Sequence, residues 1–446
     1  MSLINATMDF VERVIAPIAG KVACQKHICA IKDGFISTMP FLIVGSLLLV
    51  FANPPGSGNW FLDGWHSVVQ GIGRDNIVGP FFVSMGIFAM YSAYGIAYNL
   101  AETLNTKGVN PMNSGMLSMF SFLLAVAPAV WVGGELGSVI PMAYLGGAGA
   151  FTAIICGLLV PTLQTFLVEK NIRIKMPEAV PEKISASFDL LIPVVAMILI
   201  VQVINGVLGN FDLNIATGIM ALFSPLVAAS DTFFAFALAI LLIQLLWFAG
   251  IHGASVVLGV IGPLLLINLG ANQEALEAGK DLPAIFINPT MDFFVFVGGS
   301  GGTLALVCMM ARSKSAHLRT VGKMSLIPGC FNINEPVIFG TPIVMNPTFF
   351  IPWILAPLVN ASIVWSVFKL DLVSNVVALP PWTMPAPIGA VMATNSMLAA
   401  VVVAVCFVVS GLIFYPFFKA YEKELLAQEE PEQLDEAGAL SSAKAA

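Results

Sequence analysis

The sequence predicts an all-α polytopic membrane protein with about ten transmembrane helices, two re-entrant hairpins and amphipathic interfacial helices. Of its 446 residues, 58% are hydrophobic and only 10% are charged, and the mean hydropathy is +0.91. A soluble protein of this length could not cover its surface with so few charges. Uncharged runs and the clusters of cations between them then define the individual helices.

The uncharged runs of the first half are regular in length. Each is long enough for one helix to cross the hydrocarbon core at a rise of about 1.5 Å per residue. The runs of the second half are longer or shorter than one span and are interrupted by glycine and proline, which indicates irregular backbone. The five regular runs are Gly34–Asn53, Asn76–Ala101, Gly108–Gly134, Leu136–Val168 and Leu190–Phe211.

Four clusters of cations fix the orientation of these helices. By the positive-inside rule the clusters lie in the cytoplasm, so an even number of crossings must separate consecutive clusters. Groups of four, four and two crossings give ten spans with both termini inside. The clusters are Lys21/Lys26/Lys32, Lys170/Arg173/Lys175/Lys183, Arg312/Lys314/Arg319/Lys323 and Lys419/Lys423.

The middle group of four crossings requires one long segment to stay on one side of the membrane. We therefore leave 251–290 as a segment that dips into the bilayer without crossing it, and segment 324–346 must also enter and leave on the same side. Two such segments, each beside a polar residue, match the broken backbone with which transporters hold a substrate. The four crossings are assigned to residues 188–209, 215–231, 233–250 and 291–311.

The charge pattern divides the chain into five parts. An amphipathic segment on the cytoplasmic face precedes an N-terminal transmembrane bundle, and an amphipathic connector joins this bundle to a less regular transmembrane region that would bind a substrate. The last part is acidic and rich in alanine and serine, which predicts a disordered cytoplasmic tail. The parts are 1–33, 34–168, 169–187, 188–420 and 421–446.

One acidic side chain lies deep in an apolar run. Glu335 is the only Asp, Glu, Lys or Arg between Met324 and Phe368. Placing an ionised carboxyl in hydrocarbon costs about 2.5–3.5 kcal/mol on the less severe insertion scales. Asn334 precedes it and Pro336 follows it, so a continuous helix is not expected to pass through undisturbed. We predict a polar site at membrane depth that includes Glu335 and Asn334.

A histidine and a tryptophan form a second candidate group in the stretch Trp247–Gly253. His252 is flanked by glycines, which let a ligand or another backbone approach closely. Its imidazole can donate to and accept from hydroxyl groups, and Trp247 could stack on a sugar ring. The structural alternative is a histidine bonded to helix carbonyls beside an interfacial tryptophan.

Two further groups lie in Gly- and Pro-rich surroundings. Asn288 and Thr290 are candidate hydroxyl partners, and they precede the glycine cluster Gly298–Gly302, which is typical of close helix packing. Trp382 lies in the segment 380–389, where four prolines exclude a regular helix. It is either an anchor in the aromatic belt or a platform on which a sugar stacks.

A carboxylate, carboxamides, an imidazole and indoles together suit an oligosaccharide, because oxygens accept from hydroxyls and aromatic faces meet the C–H patches of the ring. Six scattered cysteines without metal-type spacing are expected to be free thiols, and we expect no metal, cofactor or nucleic acid. An ion- or proton-coupled secondary transporter could instead use Glu335 and Asp292 as proton carriers. An intramembrane serine protease would use Ser300 as nucleophile and His252 as base.

The motif Asn332–Pro347, with Trp247–Gly253, Gly298–Gly302 and Pro381–Gly389, resembles the membrane-embedded IIC component of the bacterial phosphotransferase system. The similarity runs over residues 10–420 and is greatest to the lactose/cellobiose/diacetylchitobiose group. It implies ten spans with two re-entrant hairpins, a homodimer built on the N-terminal spans, and a second half that carries sugar across the bacterial inner membrane.

The resemblance also implies a function and the residues that serve it. The chain would be a sugar-specific permease, not itself an enzyme, that moves a β-linked disaccharide inward. A separate IIB protein would phosphorylate the sugar's 6-hydroxyl from a phosphocysteine, which IIA and HPr recharge. Glu335 and His252 would be the catalytic residues and would bind the sugar. The further candidate sugar-binding residues are Asn334, Trp247, Trp382, Asn288 and Thr290.

Overall fold

In a computed structural model of the protein, each of the five regular uncharged runs holds most of one long helix, but two short strands lie where the runs Gly108–Gly134 and Leu136–Val168 meet. The structure describes residues 13, 17, 20–21, 25–54, 60–127, 130–134, 137–172, 174, 188–341 and 343–445. The first-half elements are α1 Lys26–Ala52, α2 Trp60–Ile72, α3 Arg74–Phe82, α4 Phe88–Leu104, α5 Pro111–Val126, β1 Val130–Gly133, β2 Gly137–Val139 and α6 Ala150–Glu169.

The first half is a bundle in which α4 is the central helix. It packs against α1, α5 and α6, and its buried face includes Ala93, Ile96 and Ala97. Strands β1 and β2 pair antiparallel between α5 and α6. A buried carboxamide joins two of the outer helices, since Gln164 on α6 accepts a hydrogen bond from the Ser114 hydroxyl on α5.

The second half alternates helices with extended segments. Its helices are α7 Leu191–Gly209, α8 Ile215–Ser230, α9 Phe233–Phe248, α10 Gly253–Glu277, α11 Leu304–Met310, α12 Ala316–Cys330, α13 Glu335–Gly340, α14 Pro347–Lys369, α15 Ala386–Thr394 and α16 Leu398–Ala445, with one π-helical turn at Thr290–Val295. Between α10 and this turn, and again between α14 and α15, most of the chain has no regular secondary structure; we refer to these two stretches as the extended segments.

An all-α membrane fold is confirmed, with an approximate number of spans. In the described part of the chain seven helices are long and apolar enough to cross a membrane, and an eighth span results if the bent pair α8–α9 is one span. The shorter apolar helix α5 and the broken segment 281–311 are the further segments that a count of ten requires. The seven are Lys26–Ala52, Arg74–Leu104, Gly147–Glu169, Leu191–Gly209, Gly253–Glu277, Pro347–Lys369 and Leu398–Gln428.

The assignment of crossings in the middle of the chain was wrong. Helices α8 and α9, predicted as two crossings, are bent by 72° at a short break and count as one span at most. The dip predicted for 251–290 is instead the 25-residue helix α10 followed by an extended return. Uncharged sequence continues from Thr232 to Gln273, so charge gave no sign that the chain turns at Gly250, where φ is +79°.

The second half contains two hairpins. In the first, α12 and α13 double back, and the His317 ring nitrogen lies 3.0 Å from the carbonyl oxygen of Gly340; this agrees with the prediction for 324–346. The second lies at 372–395, where the Val377 amide donates to the Ala393 carbonyl at 2.8 Å. This second hairpin replaces the one predicted at 251–290.

Carboxamides of α10 hold the extended segments in place. The Asn272 side-chain oxygen accepts from the Ala284 N–H at 2.8 Å. Its side-chain NH₂ group donates to the carbonyls of Ala284 and Val376 at 2.8 and 2.9 Å. Gln273 donates to the Val377 carbonyl, and Asn268 to the Phe286 carbonyl. Buried backbone groups need such partners when no helix or sheet supplies them.

A few polar contacts join the two halves of the chain. The Arg74 guanidinium lies 2.7 Å from the Glu277 carboxylate and also donates to the side-chain oxygen of Asn53. The Asn395 amide donates to the Asn53 carbonyl at 2.6 Å. These residues cluster where α1 and α10 end, which puts the C-terminal ends of both helices at the same level.

Most of segment 1–33 and of the connector 169–187 lies outside the described residues, although α1 already begins at Lys26. Helix α16 continues to Ala445, where we expected a disordered tail from 421 onward. The tail is rich in alanine, glutamate and leucine, which have high helix propensity and extend the helix. The five described cysteines are free thiols.

We expect Asn272→Ala to destabilise the fold strongly. The substitution removes three hydrogen bonds and leaves the Ala284 N–H and two carbonyls buried without partners, each at a cost of about 1–3 kcal/mol. The exposed Asn210→Ala is the matched control, because Asn210 bonds only to carbonyls of its own helix. Melting curves in detergent should show a lower midpoint for Asn272→Ala alone; equal midpoints would contradict the role given to this amide.

Candidate functional site

Glu335 lies at the first turn of the short helix α13, inside the first hairpin. Its side chain is half-buried, and no described residue donates a hydrogen bond to its carboxylate or pairs with it. Asn334 and Pro336 start α13 here, since the backbone of Asn334 is non-helical and proline occupies the first turn. The carboxylate is therefore free to accept hydrogen bonds from a ligand.

The two asparagines before Glu335 hold the loops around it. Asn332 accepts from the Gly298 amide at 3.1 Å and donates to the carbonyls of Trp382 and Met384 at 2.8 and 2.9 Å. It thereby joins the glycine cluster to the proline-rich segment. Asn332 had no role assigned from the sequence, although its place in an apolar run close to Glu335 was a signal for one.

Asn334 packs against the glycine cluster. Its amide donates to the Ser300 carbonyl and to the Thr303 hydroxyl, and the residue is 3% exposed. Gly299 has φ +96°, and a Cβ atom there would overlap the Asn334 side chain. Gly301 is similarly close to Trp353. The glycine cluster is thus a tight loop, and Asn334 uses its donors to hold it.

His252 caps the N-terminus of α10 at the turn that follows α9. Its Nδ1 accepts from the Ser255 amide at 3.1 Å and lies 2.9 Å from the Ser255 hydroxyl. These contacts leave Nε2 with no partner among the described residues. The imidazole is exposed, and its ring centroid lies 4.4 Å from that of Trp247.

Trp247 lies behind this histidine. It is 4% exposed, and its indole N–H is buried without a hydrogen-bond partner. One turn earlier, Gln244 is fully buried, and both polar atoms of its side chain also lack partners in the described structure. The Gln244 carbonyl accepts from the Trp353 indole at 2.9 Å, so α9 and α14 are joined at this level. Gln244 was not among the residues predicted from the sequence.

The turn at His252 and the hairpin at Glu335 are neighbours in space. The Met345 amide donates to the Phe248 carbonyl at 3.1 Å, and Val344 lies against Gly250. The opposite side of the hairpin is joined to the Trp382 segment through Asn332. Trp382 itself is 52% exposed, which leaves its indole face open. Three of the predicted residues therefore present free polar or aromatic groups around one hairpin.

The other predicted residues are engaged by the protein itself. Thr290 is fully buried and donates to the Ile285 carbonyl at 2.8 Å. Asn288 is partly buried, with a side-chain oxygen that has no partner in the described structure. A direct ligand contact by Thr290 or Asn334 gains no geometric support, because both already use their donors. The described residues contain no group of three or more His, Cys, Asp or Glu that could hold a metal.

Comparison with known proteins gives consistent matches over almost the entire chain. The profile of the family described as "Phosphotransferase system, EIIC" matches residues 32–357. The lichenan permease IIC component of Bacillus subtilis (strain 168) is 33% identical, and the match covers 99% of both chains. The lactose-specific EIICB component of Staphylococcus aureus (strain N315) is 35% identical, over 93% of this chain and 72% of the relative.

The fold also matches a solved structure. It is similar to the crystal structure of the transporter ChbC, the IIC component from the N,N'-diacetylchitobiose-specific phosphotransferase system, with a TM-score of 0.86 and 33% identity. The match covers 94% of this chain and 99% of the other.

We expect Gly299→Ala to disrupt the loop around Asn334. A methyl group at this positive φ would overlap the Asn334 side chain, and strain and overpacking together should cost at least ~2 kcal/mol. Gly262→Ala is the matched control, because a Cβ atom there meets no atom within 4 Å. Melting curves should show a lower midpoint for Gly299→Ala and little change for the control. If Gly299→Ala melted like the wild type, the glycine loop would not be packed as closely against Asn334 as the structure indicates.

Proposed function

The chain belongs to the phosphotransferase-system EIIC family, and on that premise we propose that it is a membrane permease that takes up a β-linked disaccharide for phosphorylation. The relatives named above carry lichenan, lactose and N,N'-diacetylchitobiose in their names, and we extend this class of saccharide to this chain. All are phosphotransferase-system components, so the ion-coupled transporter gains no support. The serine protease gains none either, because no described hydrogen bond joins Ser300 to His252.

The observation that carries the proposal is the half-buried carboxylate of Glu335, which no described protein group satisfies. Sugar hydroxyls are donors that could bond it, and charge-assisted hydrogen bonds are about twice as strong as neutral ones. We assign the sugar contacts to Glu335, to Nε2 of His252 and to the exposed face of Trp382. The unpaired side-chain oxygen of Asn288 is a further acceptor, and Trp247 orients the imidazole from behind.

Asn334 and Thr290 have a different role in this proposal. Asn334 positions Glu335 by fixing its hairpin to the glycine cluster, and Thr290 closes the turn that follows the extended segment. Both would affect sugar binding through the position of their neighbours.

The proposed reaction takes place after the sugar has reached the cytoplasmic side. The 6-hydroxyl oxygen attacks the phosphorus of a phosphocysteine on IIB; the P–S bond breaks, a P–O bond forms, and the hydroxyl proton passes to Glu335 as general base, with His252 beside it. The phosphate then adds charge to the sugar and weakens its binding in an apolar cavity, which would make uptake irreversible. The chain itself acts as the transport subunit.

Partners and orientation follow from the same family. We propose that a IIB protein phosphorylates the sugar, because the chain is similar to relatives named as IIC components, and IIA and HPr would supply the phosphoryl group to it. The S. aureus relative, named EIICB, supports the pairing of these two activities. We further propose a homodimer formed by the first-half bundle in the bacterial inner membrane, with both termini in the cytoplasm as the cation clusters predict.

We expect Glu335→Gln to weaken sugar binding by about 10- to 100-fold, because hydrogen bonds to a charged group contribute about 1.5–3 kcal/mol. Isothermal titration of the purified protein with cellobiose, lactose and N,N'-diacetylchitobiose measures this. The exposed Glu102→Gln on α4 is the matched control and should bind like the wild type. Unchanged affinity in Glu335→Gln would remove this carboxylate from the site.

We expect phosphorylation of a β-linked disaccharide by membranes containing this chain to require IIB, IIA, HPr and phosphoenolpyruvate together. The measurement is the amount of sugar phosphate formed when each component is omitted in turn. Maltose, an α-linked disaccharide, is the control substrate and should give little product. Accumulation of free sugar driven by a proton gradient, without these proteins, would instead favour the secondary transporter.

A further inference from the structure

An open cavity of about 600 Å³ lies between α11 and α16, and none of its lining residues belongs to the candidate site around Glu335. Its volume is within the range of about 300–1,000 Å³ that is common for ligand pockets. Most of its lining is apolar and includes Met309, Phe407 and Val408. Nothing in the proposed sugar chemistry uses this cavity.

The lining residues are ordered from apolar to cationic along both helices. On α11 and just beyond it, Ala305 and Met309 are followed by Arg312; on α16, Gly411 and Tyr415 lead to Lys419. The two helices approach closely near Ala305, since a Cβ atom on Gly411 would lie 3.2 Å from that of Ala305. The cavity is therefore a groove with an apolar end and a cationic end, which is the shape and polarity of an amphiphile.

A buried carboxylate fixes the cationic end. Glu422 is 4% exposed and accepts from the Ser313 hydroxyl at 2.6 Å, from the Lys314 amide at 2.9 Å and from the Lys419 ammonium at 2.7 Å. These bonds attach α16 to the loop after α11. They also neutralise Lys419 in part, so this lysine alone gives the groove little net charge.

The charge of Arg312 is not compensated in the same way. Its guanidinium is exposed and donates to the Cys308 carbonyl at 3.2 Å, but no carboxylate in the described structure pairs with it. It belongs to the cation cluster that the positive-inside rule places in the cytoplasm. One unpaired positive charge therefore lies at the mouth of the groove, at the level of the lipid headgroups of the inner leaflet.

We propose that this groove binds one anionic phospholipid of the cytoplasmic leaflet. Its phosphate would lie between Arg312 and Lys419, with the Tyr415 hydroxyl nearby, and an acyl chain would lie along Met309, Phe407 and Val408. Charge complementarity selects the anionic headgroup, and the apolar length of the groove selects a lipid over free phosphate. Such a lipid would stabilise the contact between α11 and α16 near the cytoplasmic surface.

The test is native mass spectrometry of the purified full chain titrated with phosphatidylglycerol, or with zwitterionic phosphatidylcholine of the same acyl chains. We expect one phosphatidylglycerol to bind more tightly than the others, and Arg312→Gln to weaken that binding by about fivefold. Lys323→Gln removes an exposed cation of the same cluster that does not line the groove, and it should change binding by less than about twofold.

A second variant tests the apolar end. Val408 is 54% exposed, so Val408→Trp should fold normally and block the acyl chain, which would abolish the tight binding. Equal binding of the two lipids, an equal effect of Lys323→Gln, or unchanged binding in Val408→Trp would each overturn the proposal. So would competition by inorganic phosphate alone, or cross-links from the groove to a second copy of the chain. Sugar binding is measured separately and does not enter this result.

Discussion

The second half of this protein depends on buried carboxamide side chains that bond to backbone lacking helical partners. In an apolar interior, burying an N–H or carbonyl without a hydrogen-bond partner costs free energy. Backbone that is not helical therefore needs side-chain partners for these groups. Asn272 supplies three of these bonds to two separate segments, and Asn332 supplies three others around the hairpin. Without these amides the extended segments would have to become helical or leave the interior.

This use of amides accounts for the position of the candidate site. Helix ends and loops expose side chains that a continuous helix would direct at neighbouring helices or at lipid, and here Glu335, His252 and Trp382 all lie at such interruptions. The amides are bonded mostly to protein, whereas the carboxylate of Glu335 has no described protein partner. A group whose hydrogen bonds the protein does not complete is the one that an entering ligand can complete.

The sequence allowed much of this to be predicted because charge and motif are local signals. The approximate positions of the first-half helices and the hairpin after Met324 follow from residues close together in the chain, and so does the expectation of a polar site at Glu335. The bend between α8 and α9, the helix α10 and the hairpin at 372–395 depend on pairs more than ten residues apart, such as Asn272 with Ala284. In a hydropathy profile such an asparagine is one polar residue in an apolar run, and the profile does not show which carbonyl its side chain bonds.

The distribution of polar contacts also favours motion of the second half as a rigid body. Inside that half the carboxamide bonds are buried, and breaking one leaves groups unsatisfied at a cost of about 1–3 kcal/mol each. Among the described residues, fewer polar bonds join the two halves. They include the pair of Arg74, 40% exposed, with Glu277, of a kind that contributes about 0–1 kcal/mol, the bond from the Asn395 amide to the Asn53 carbonyl, and the bond from the Leu379 amide to the Ser46 hydroxyl. A displacement of one half against the other therefore costs least if it breaks these contacts and the packing of α1 against α10 while preserving the bonds of Asn272 and Asn332.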